Sequence, residues 1–321
     1  MKLQEISIEI TQQCPNCCIH CSSYSSWEQV HSMPYELICA VIREAIDLGA
    51  KKVCLSGGEP FLHPQLVEIV NYVWRLGAKT VIYTSGIYYD SDTYQALPMN
   101  ILTCLKDKVD AIIINYEAAD SETYDTIMGT QFLGYNLMRQ TIASAISLGI
   151  NVETHVVPMK INYQQLPKII QQCNELGVSK VSFLRMVKHG RVLDKRELIF
   201  LTEEEEVSLK EQLKKFRDDN IVAIRLGIPY TDCVKRMNCR TGIAKLNIRY
   251  DGLVYPCEAF KNDLPEGFVM SRPDSVYEKS LKYIYEHSSY LTEIRNKLFE
   301  FQMNDCNETC MNQYYTKINE K

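Results

Sequence analysis

The stretch Leu3-Gln4-Glu5-Ile6-Ser7-Ile8-Glu9-Ile10-Thr11-Gln12-Gln13-Cys14-Pro15-Asn16-Cys17-Cys18-Ile19-His20-Cys21 carries two signals in succession. Residues 3–10 mostly alternate apolar and polar side chains, the period of a strand. Immediately afterwards Cys14, Cys18 and Cys21 fall in the spacing C-x3-C-x2-C. Thiolates hold iron–sulfur clusters, and three at this spacing can ligate three of the four irons of a cubane. The fourth iron is then open to a substrate or cofactor. Cys17 is extra to the pattern and is read as a neighbouring thiol, not a ligand.

From this strand outward, helix and strand alternate. Helix 35–48 leads to strand 52–56, helix 64–76 to strand 79–84, a less regular region 90–106 to strand 110–115, helix 132–148 to strand 150–157, and helix 163–176 to strand 179–186. Such alternation predicts an α/β fold with a parallel sheet, whose functional residues belong at the C-terminal strand ends. After Gly190-Arg191 the alternation stops. Thr202 followed by Glu203-Glu204-Glu205-Glu206 marks a helix N-terminus opening an amphipathic helix over 202–217. Segments 221–227 and 244–249 then read as strands. A second domain is expected from 218 to 321, with 1–217 as the first.

The composition excludes several classes. At 321 residues and 46% hydrophobic content, the chain can bury a full core. Its 35 basic and 40 acidic residues are dispersed, giving a formal charge of -5 and no basic stripe, so nucleic acid is not an expected partner. No apolar run reaches the roughly 20 residues of a membrane span. Met1 to Ile6 leads into a strand pattern with no apolar signal segment, so a reduced, cytoplasmic protein is expected and the 13 cysteines are not a disulfide framework. Cys39, Cys54, Cys104 and Cys173 stand singly in apolar contexts and are expected in the core. Structural zinc is the competing reading of the triad. It asks for four ligands in paired units, and only His20 and His31 lie near.

The triad after a first strand, followed by Gly57-Gly58-Glu59-Pro60 at the end of strand 52–56, resembles the radical SAM superfamily. The resemblance implies a partial (β/α)6 TIM-type barrel with a small C-terminal α+β cluster-binding domain. It also implies that Cys14, Cys18 and Cys21 hold a [4Fe-4S] cluster whose open iron chelates S-adenosylmethionine (SAM), with Gly57, Gly58, Glu59 and Pro60 receiving the methionine amino group. Glycine suits a backbone that approaches a ligand closely; alone, the same four residues are a common turn. Thr84-Ser85-Gly86 stands where the family often has Thr-Asn-Gly, and Asn115-Tyr116-Glu117 where many members have Ser-Leu-Asp. Ser85, Asn115 and His155 are thus candidate SAM contacts, and Glu117 and Arg185 candidate catalytic residues. An arginine at a barrel mouth can clamp a carboxylate. The alternative for each is a polar group capping a strand end or satisfied in the core. Tyr124-Asp125-Thr126-Ile127-Met128-Gly129 resembles a family stretch that carries an arginine where Met128 stands, and Lys188-His189-Gly190-Arg191 is similar to the end of related barrels.

A second cysteine set follows. Cys239, twelve residues, Gly252, four residues and Cys257 match the opening of the family's SPASM and twitch domains, and the intervening segment reads as a β-hairpin turning at Asp251-Gly252. Cys306 and Cys310 complete four thiolates, which the resemblance reads as an auxiliary [4Fe-4S] cluster of the one-cluster, twitch-like form. Four thiolates also suit zinc. Cys233 has no place among the four and is read as a candidate catalytic thiol, a fifth ligand or core.

The resemblance implies reductive cleavage of SAM to a 5′-deoxyadenosyl radical, hydrogen abstraction from a substrate C–H bond, and electron relay through the auxiliary cluster. An external low-potential donor of flavodoxin or ferredoxin type would supply the electron. The expected substrate is a ribosomally made peptide, undergoing cross-linking, epimerisation or oxidation. Dehydrogenation of a small carbohydrate-like or aminocyclitol substrate is the alternative, favoured by a sequence that begins right at the barrel strand. A non-catalytic zinc- or cluster-binding scaffold is a further one.

Overall fold

The computed structural model describes residues 2–90, 92–130, 134–187, 190–219, 222–227, 230, 239–261, 268–303 and 310–311. Its strands are β1 (Glu5–Thr11), β2 (Lys52–Gly57), β3 (Lys79–Thr84), β4 (Ile87–Asp90), β5 (Thr93–Ala96), β6 (Ala111–Asn115), β7 (Val152–Val156), β8 (Lys180–Phe183), β9 (Ala223–Leu226), β10 (Lys245–Ile248) and β11 (Val254–Tyr255). Its helices are α1 (Tyr35–Asp47), α2 (Leu66–Arg75), α3 (Met99–Leu105), α4 (Ser121–Met128), α5 (Gly134–Ser147), α6 (Leu166–Glu175), α7 (Arg196–Ile199), α8 (Glu203–Asp219), α9 (Leu281–His287) and α10 (Ser289–Met303).

Among the described residues, nine strands form one sheet in the order β11-β10-β1-β2-β3-β6-β7-β8-β9, all parallel except β11. The six expected strands form its middle, β1 through β8 apart from the hairpin β4–β5, and the fold is the expected α/β partial barrel. The two strands expected after 218 continue this same sheet on opposite edges. β9 pairs with β8, and β10 pairs with β1 in the register Glu5↔Lys245 to Ile8↔Ile248.

Alternation along each strand sorts the side chains onto two faces. Ile6, Ile8 and Ile10 of β1, Val53 and Leu55 of β2, and Ile112 and Ile114 of β6 join the large core beneath the helices, each such burial contributing about 1.5–3 kcal/mol. The opposite face is the barrel interior. It carries a small apolar patch of Cys54, Val81, Ala111 and Ile113 with Tyr83, and buried polar residues Ser7, Glu9, Thr11, Ser182 and Asn247.

Two local readings change. The irregular region 90–106 contains the hairpin β4–β5 and helix α3. Of the four single cysteines, Cys54 and Cys173 are buried and Cys39 is half-buried, but Cys104 is exposed. Leu102 and Leu105 give α3 its buried side, and a residue two positions after Leu102 points away from it. The helix expected from Thr202 does form a capping box: Glu205 N donates to Thr202 Oγ1 at 3.2 Å and Thr202 N to Glu205 Oε2 at 2.8 Å.

Candidate functional site

The cysteine loop leaves β1 at the C-terminal end of the sheet and is fixed from three sides. The first is the glycine turn after β2. Gly58 N donates to Thr11 O at 2.6 Å and Glu59 N to Gln13 O at 2.8 Å. A Cβ on Gly57 would lie 2.2 Å from Thr11 O, and one on Gly58 2.1 Å from Gln13 O. The close approach that demands glycine here is therefore to the protein's own backbone, at the root of the cysteine loop.

The second side is the C-terminus of α4. Cys17 N donates to Met128 O at 3.1 Å and Ile19 N to Ile127 O at 2.9 Å. Met128 Sδ lies 3.8 Å from Cys18 Sγ, so a thioether occupies the position where the family stretch has an arginine. Gly129, at φ 63°, closes the helix, and a Cβ there would come within 2.4 Å of Cys17 O.

The third side is Gly190-Arg191. Arg191 Nε donates to Cys18 O at 2.8 Å and Nη2 to Ser25 O at 2.7 Å, while Arg191 N donates to Cys21 O at 3.2 Å. A Cβ on Gly190 would meet Cys21 O at 2.2 Å. Sequence reasoning noted this Gly-Arg pair but placed its candidate role on Arg185. The available signal was a glycine directly before an arginine beyond the sixth barrel strand. Arg185 is half-buried and lies in the electrostatic neighbourhood of Tyr230 and Cys239, towards the second cysteine set.

Glu59 is fully buried. Its Oε1 accepts from Thr84 Oγ1 at 2.6 Å and Phe61 N at 3.3 Å, and its Oε2 from Ser85 N at 2.9 Å and Ser85 Oγ at 2.6 Å. A carboxylate offers about four lone-pair directions, and the chain fills them. Glu59 thus braces the turn, with buried Pro60, against the end of β3, and Ser85 is engaged in that brace. Burial raises its pKa, opposed by these hydrogen bonds, the Ser85 hydroxyl first.

Glu117 is also fully buried. Its Oε2 accepts from Val157 N at 2.9 Å and its Oε1 from Asn115 Nδ2 at 3.0 Å, and His20 Nε2 of the cysteine loop lies 3.6 Å from Oε1. Burial pushes Glu117 up to about 7 against the pull of those donors, and holds His20 down at about 4, so the imidazole is neutral. Asn162 fastens this corner through Nδ2 bonds to Glu117 O at 2.8 Å and Val157 O at 3.0 Å. His155 stands level with Asn115, Ser182 and Arg225 across β6–β9. Its ring lies 5.4 Å from Tyr83, and burial, with Arg225 next, lowers it to about 3.

The three thiols share one neighbourhood. Burial raises Cys14 and Cys18 well above the ordinary range, and nearby thiolates add to it: Cys18, then Glu59 and Cys21, act on Cys14, and Cys21 acts on Cys18. Thiolates so placed favour a cationic inorganic group. Both amide atoms of Asn16, between Cys14 and Cys18, are buried without a partner among the described residues, as are His20 Nδ1 and Ser25 Oγ. Buried polar groups are normally paired, so the loop's donors and acceptors also fit a bound group. Among the described residues no three His, Cys, Asp or Glu side chains converge tightly enough for a single metal ion. A cubane, whose irons sit at separate corners, takes its thiolates further apart, and the loop suits it better than zinc.

In the second set, β10 and β11 form the expected hairpin, turning at Gly252 with φ 81°. Burial raises Cys239, and pushes Cys257 up to about 12; Cys310 acts electrostatically on both. Cys239, Cys257 and Cys310 are thus neighbours. Cys306 and Cys233 lie outside the described residues, as do Lys188 and His189.

Comparison with known proteins supplies the lineage. The chain is similar to PqqA peptide cyclase of Gluconobacter oxydans, 25% identical over 254 residues that make up 78% of this chain and 69% of the relative. It is also similar to the antilisterial bacteriocin subtilosin biosynthesis protein AlbA of Bacillus subtilis, 24% identical over 95% of this chain and 63% of that protein. The chain thus spans about two thirds of the length of these relatives. Among solved structures, Streptococcus suis SuiB bound to S-adenosylmethionine superposes with a TM-score of 0.72 at 18% identity, covering 92% of this chain and 68% of SuiB. The enzyme anSMEcpe with bound AdoMet superposes at 0.70 with 13% identity, covering 93% and 84%. A model of the radical SAM superfamily matches residues 8–173, which span β1, the cysteine loop, the Gly57–Glu59 turn and the strands to β7. By that match over more than half its length, the chain belongs to the radical SAM superfamily, whose members pair a [4Fe-4S] cluster with S-adenosylmethionine.

Proposed function

We propose that this protein modifies a ribosomally made peptide by radical chemistry, with a second cluster accepting electrons from the substrate. The observation that carries the reading is the cysteine loop itself: Cys14, Cys18 and Cys21 on one segment, held by the glycine turn, the end of α4 and Arg191. The peptide class is supported by the PqqA peptide cyclase similarity, and by SuiB bound to its precursor peptide and anSMEcpe bound to a peptide, which share the fold.

In this proposal Cys14, Cys18 and Cys21 hold the first cluster, and Cys239, Cys257, Cys306 and Cys310 the auxiliary one. Reductively cleaved SAM supplies a 5′-deoxyadenosyl radical that removes a hydrogen atom from the substrate, while the protein orients the reacting atom. Gly57, Gly58, Asn115 and His155 present polar groups to SAM; Glu59, Pro60 and Ser85 hold the turn in place. Glu117, titrating near neutrality beside the cysteine loop, suits a proton acceptor. The electron comes from an external flavodoxin- or ferredoxin-type donor.

Anaerobic purification followed by iron analysis and incubation with SAM and dithionite tests the reading. Two cubanes give about eight irons per chain, and 5′-deoxyadenosine accumulates; C14A/C18A/C21A loses the SAM cleavage. A peptide encoded beside the gene should lose two hydrogens by mass spectrometry. Colourless protein that leaves SAM intact would sink the proposal.

A further inference from the structure

Lys261 lies four residues beyond Cys257, yet its side chain is buried inside the barrel. Its Nζ donates to Glu9 Oε1 of β1 at 2.5 Å and to Ser23 Oγ at 2.7 Å, two residues past Cys21. Ser23 is tied in further: its hydroxyl donates to the same Glu9 oxygen at 3.2 Å, and its carbonyl accepts from Gln12 Nε2 at 3.1 Å. Lys261 is held from its own side, since its carbonyl accepts from Arg249 Nη1 at 2.9 Å, and Arg249 grips Asp251 in the β10–β11 hairpin. Burial works against the ammonium, but Glu9 and then the Cys21 thiolate favour it, and it stays charged. A buried ion pair adds little stability over apolar residues of the same size, so its charge and reach need another account.

We infer that Lys261 is a positioning residue that joins the two cysteine sets: it pins the exit of the cysteine loop at Ser23 and fixes a positive charge beside the Cys21 thiolate. The inference rests on the reading that Cys14, Cys18 and Cys21 hold the first cluster. A fixed cation there eases addition of an electron to an anionic thiolate-bound group, and it is supplied by the segment that carries Cys257.

The test is an EPR-monitored redox titration of wild type, K261R and K261M, following the signal that changes when SAM is added. In K261M the reduced fraction at a fixed donor potential should fall about tenfold, equal to about 59 mV for one electron, while the SAM-insensitive signal keeps its midpoint. K261R should recover most of the shift. If the unpaired Glu9 prevents K261M from folding, E9Q/K261M read against E9Q isolates the same charge. An unchanged midpoint in K261M, or in E9Q/K261M against E9Q, overturns the role of Lys261; absence of any SAM-sensitive signal in wild type overturns the cluster reading instead.

Discussion

Single residues at this site differ in whether the backbone or the chemistry needs them. Arg191 holds two carbonyls of the cysteine loop through charge-assisted bonds, each contributing about 1.5–3 kcal/mol. A lysine cannot reach both in a fork, so R191K should retain its fold by circular dichroism while reconstituting with less than half the wild-type iron. Glu117 gives a pH signature. Its pKa rises from 4.5 unfolded to about 7 folded, so the folded state binds the extra proton between these values. Stability is then fully present below pH 4.5 and is lost as pH rises through 7. Urea unfolding of the iron-free protein at pH 5 and pH 8 should show wild type losing stability by a few kcal/mol, and E117Q losing clearly less; equal losses would reject the buried-acid account. The sequence marked Glu117 by its place at a strand end. It did not show that Asn115 donates to Glu117, or that Glu59 is saturated by Thr84 and Ser85, because those depend on how strand ends meet across the sheet.

At the scale of elements, α4 and the cysteine loop act as one unit through Gly129. A glycine at positive φ is worth about 1 kcal/mol over alanine by conformation alone, and Gly129 also faces Cys17 O. Gly149 makes a clean control: its φ is 81° and nothing lies within 4 Å of a Cβ there. G129A should therefore destabilise by about 1–3 kcal/mol more than G149A and lose iron, whereas G149A keeps its iron; thermal melts and iron assays on both decide it. Elements with strong periodicity were legible. Strand 79–84 was placed at its observed bounds, and β1, β2, β6 and β7 within a few residues. The hairpin β4–β5 was not, because Ile87-Tyr88-Tyr89-Asp90 pairs only with its neighbour β5 and shows a short, mixed pattern with partly exposed tyrosines. Strand β8 stops at Phe183, before Arg185, because an apolar run does not reveal where its pairing ends.

On the scale of the whole molecule, the two expected segments share one sheet. The change at 218 was legible as a break in alternation, but pairing partners were not, since Lys245–Ile248 reads the same whether it starts a separate sheet or joins β1. Removing residues 218–321 would expose the β1 edge and leave Glu9 buried without Lys261, a loss of several kcal/mol for the ion pair alone. The truncated chain 1–217 should therefore aggregate on size-exclusion chromatography instead of eluting as a folded barrel; a monodisperse, cooperatively melting product would contradict the shared sheet. No helix of the described residues is long and apolar enough to cross a membrane.

The pairing of β1 with β10 joins residues some 240 positions apart, from Glu5↔Lys245 to Ile8↔Ile248. Contacts so distant in the chain close late, because a long loop must be ordered before they form. During translation, the strand leading into Cys14 therefore leaves the ribosome early but gains its second neighbour only after residue 248 has emerged. The segment that will carry the first cluster spends most of synthesis with one flank open, so delivery of iron and sulfide belongs to the finished polypeptide, not to the nascent one.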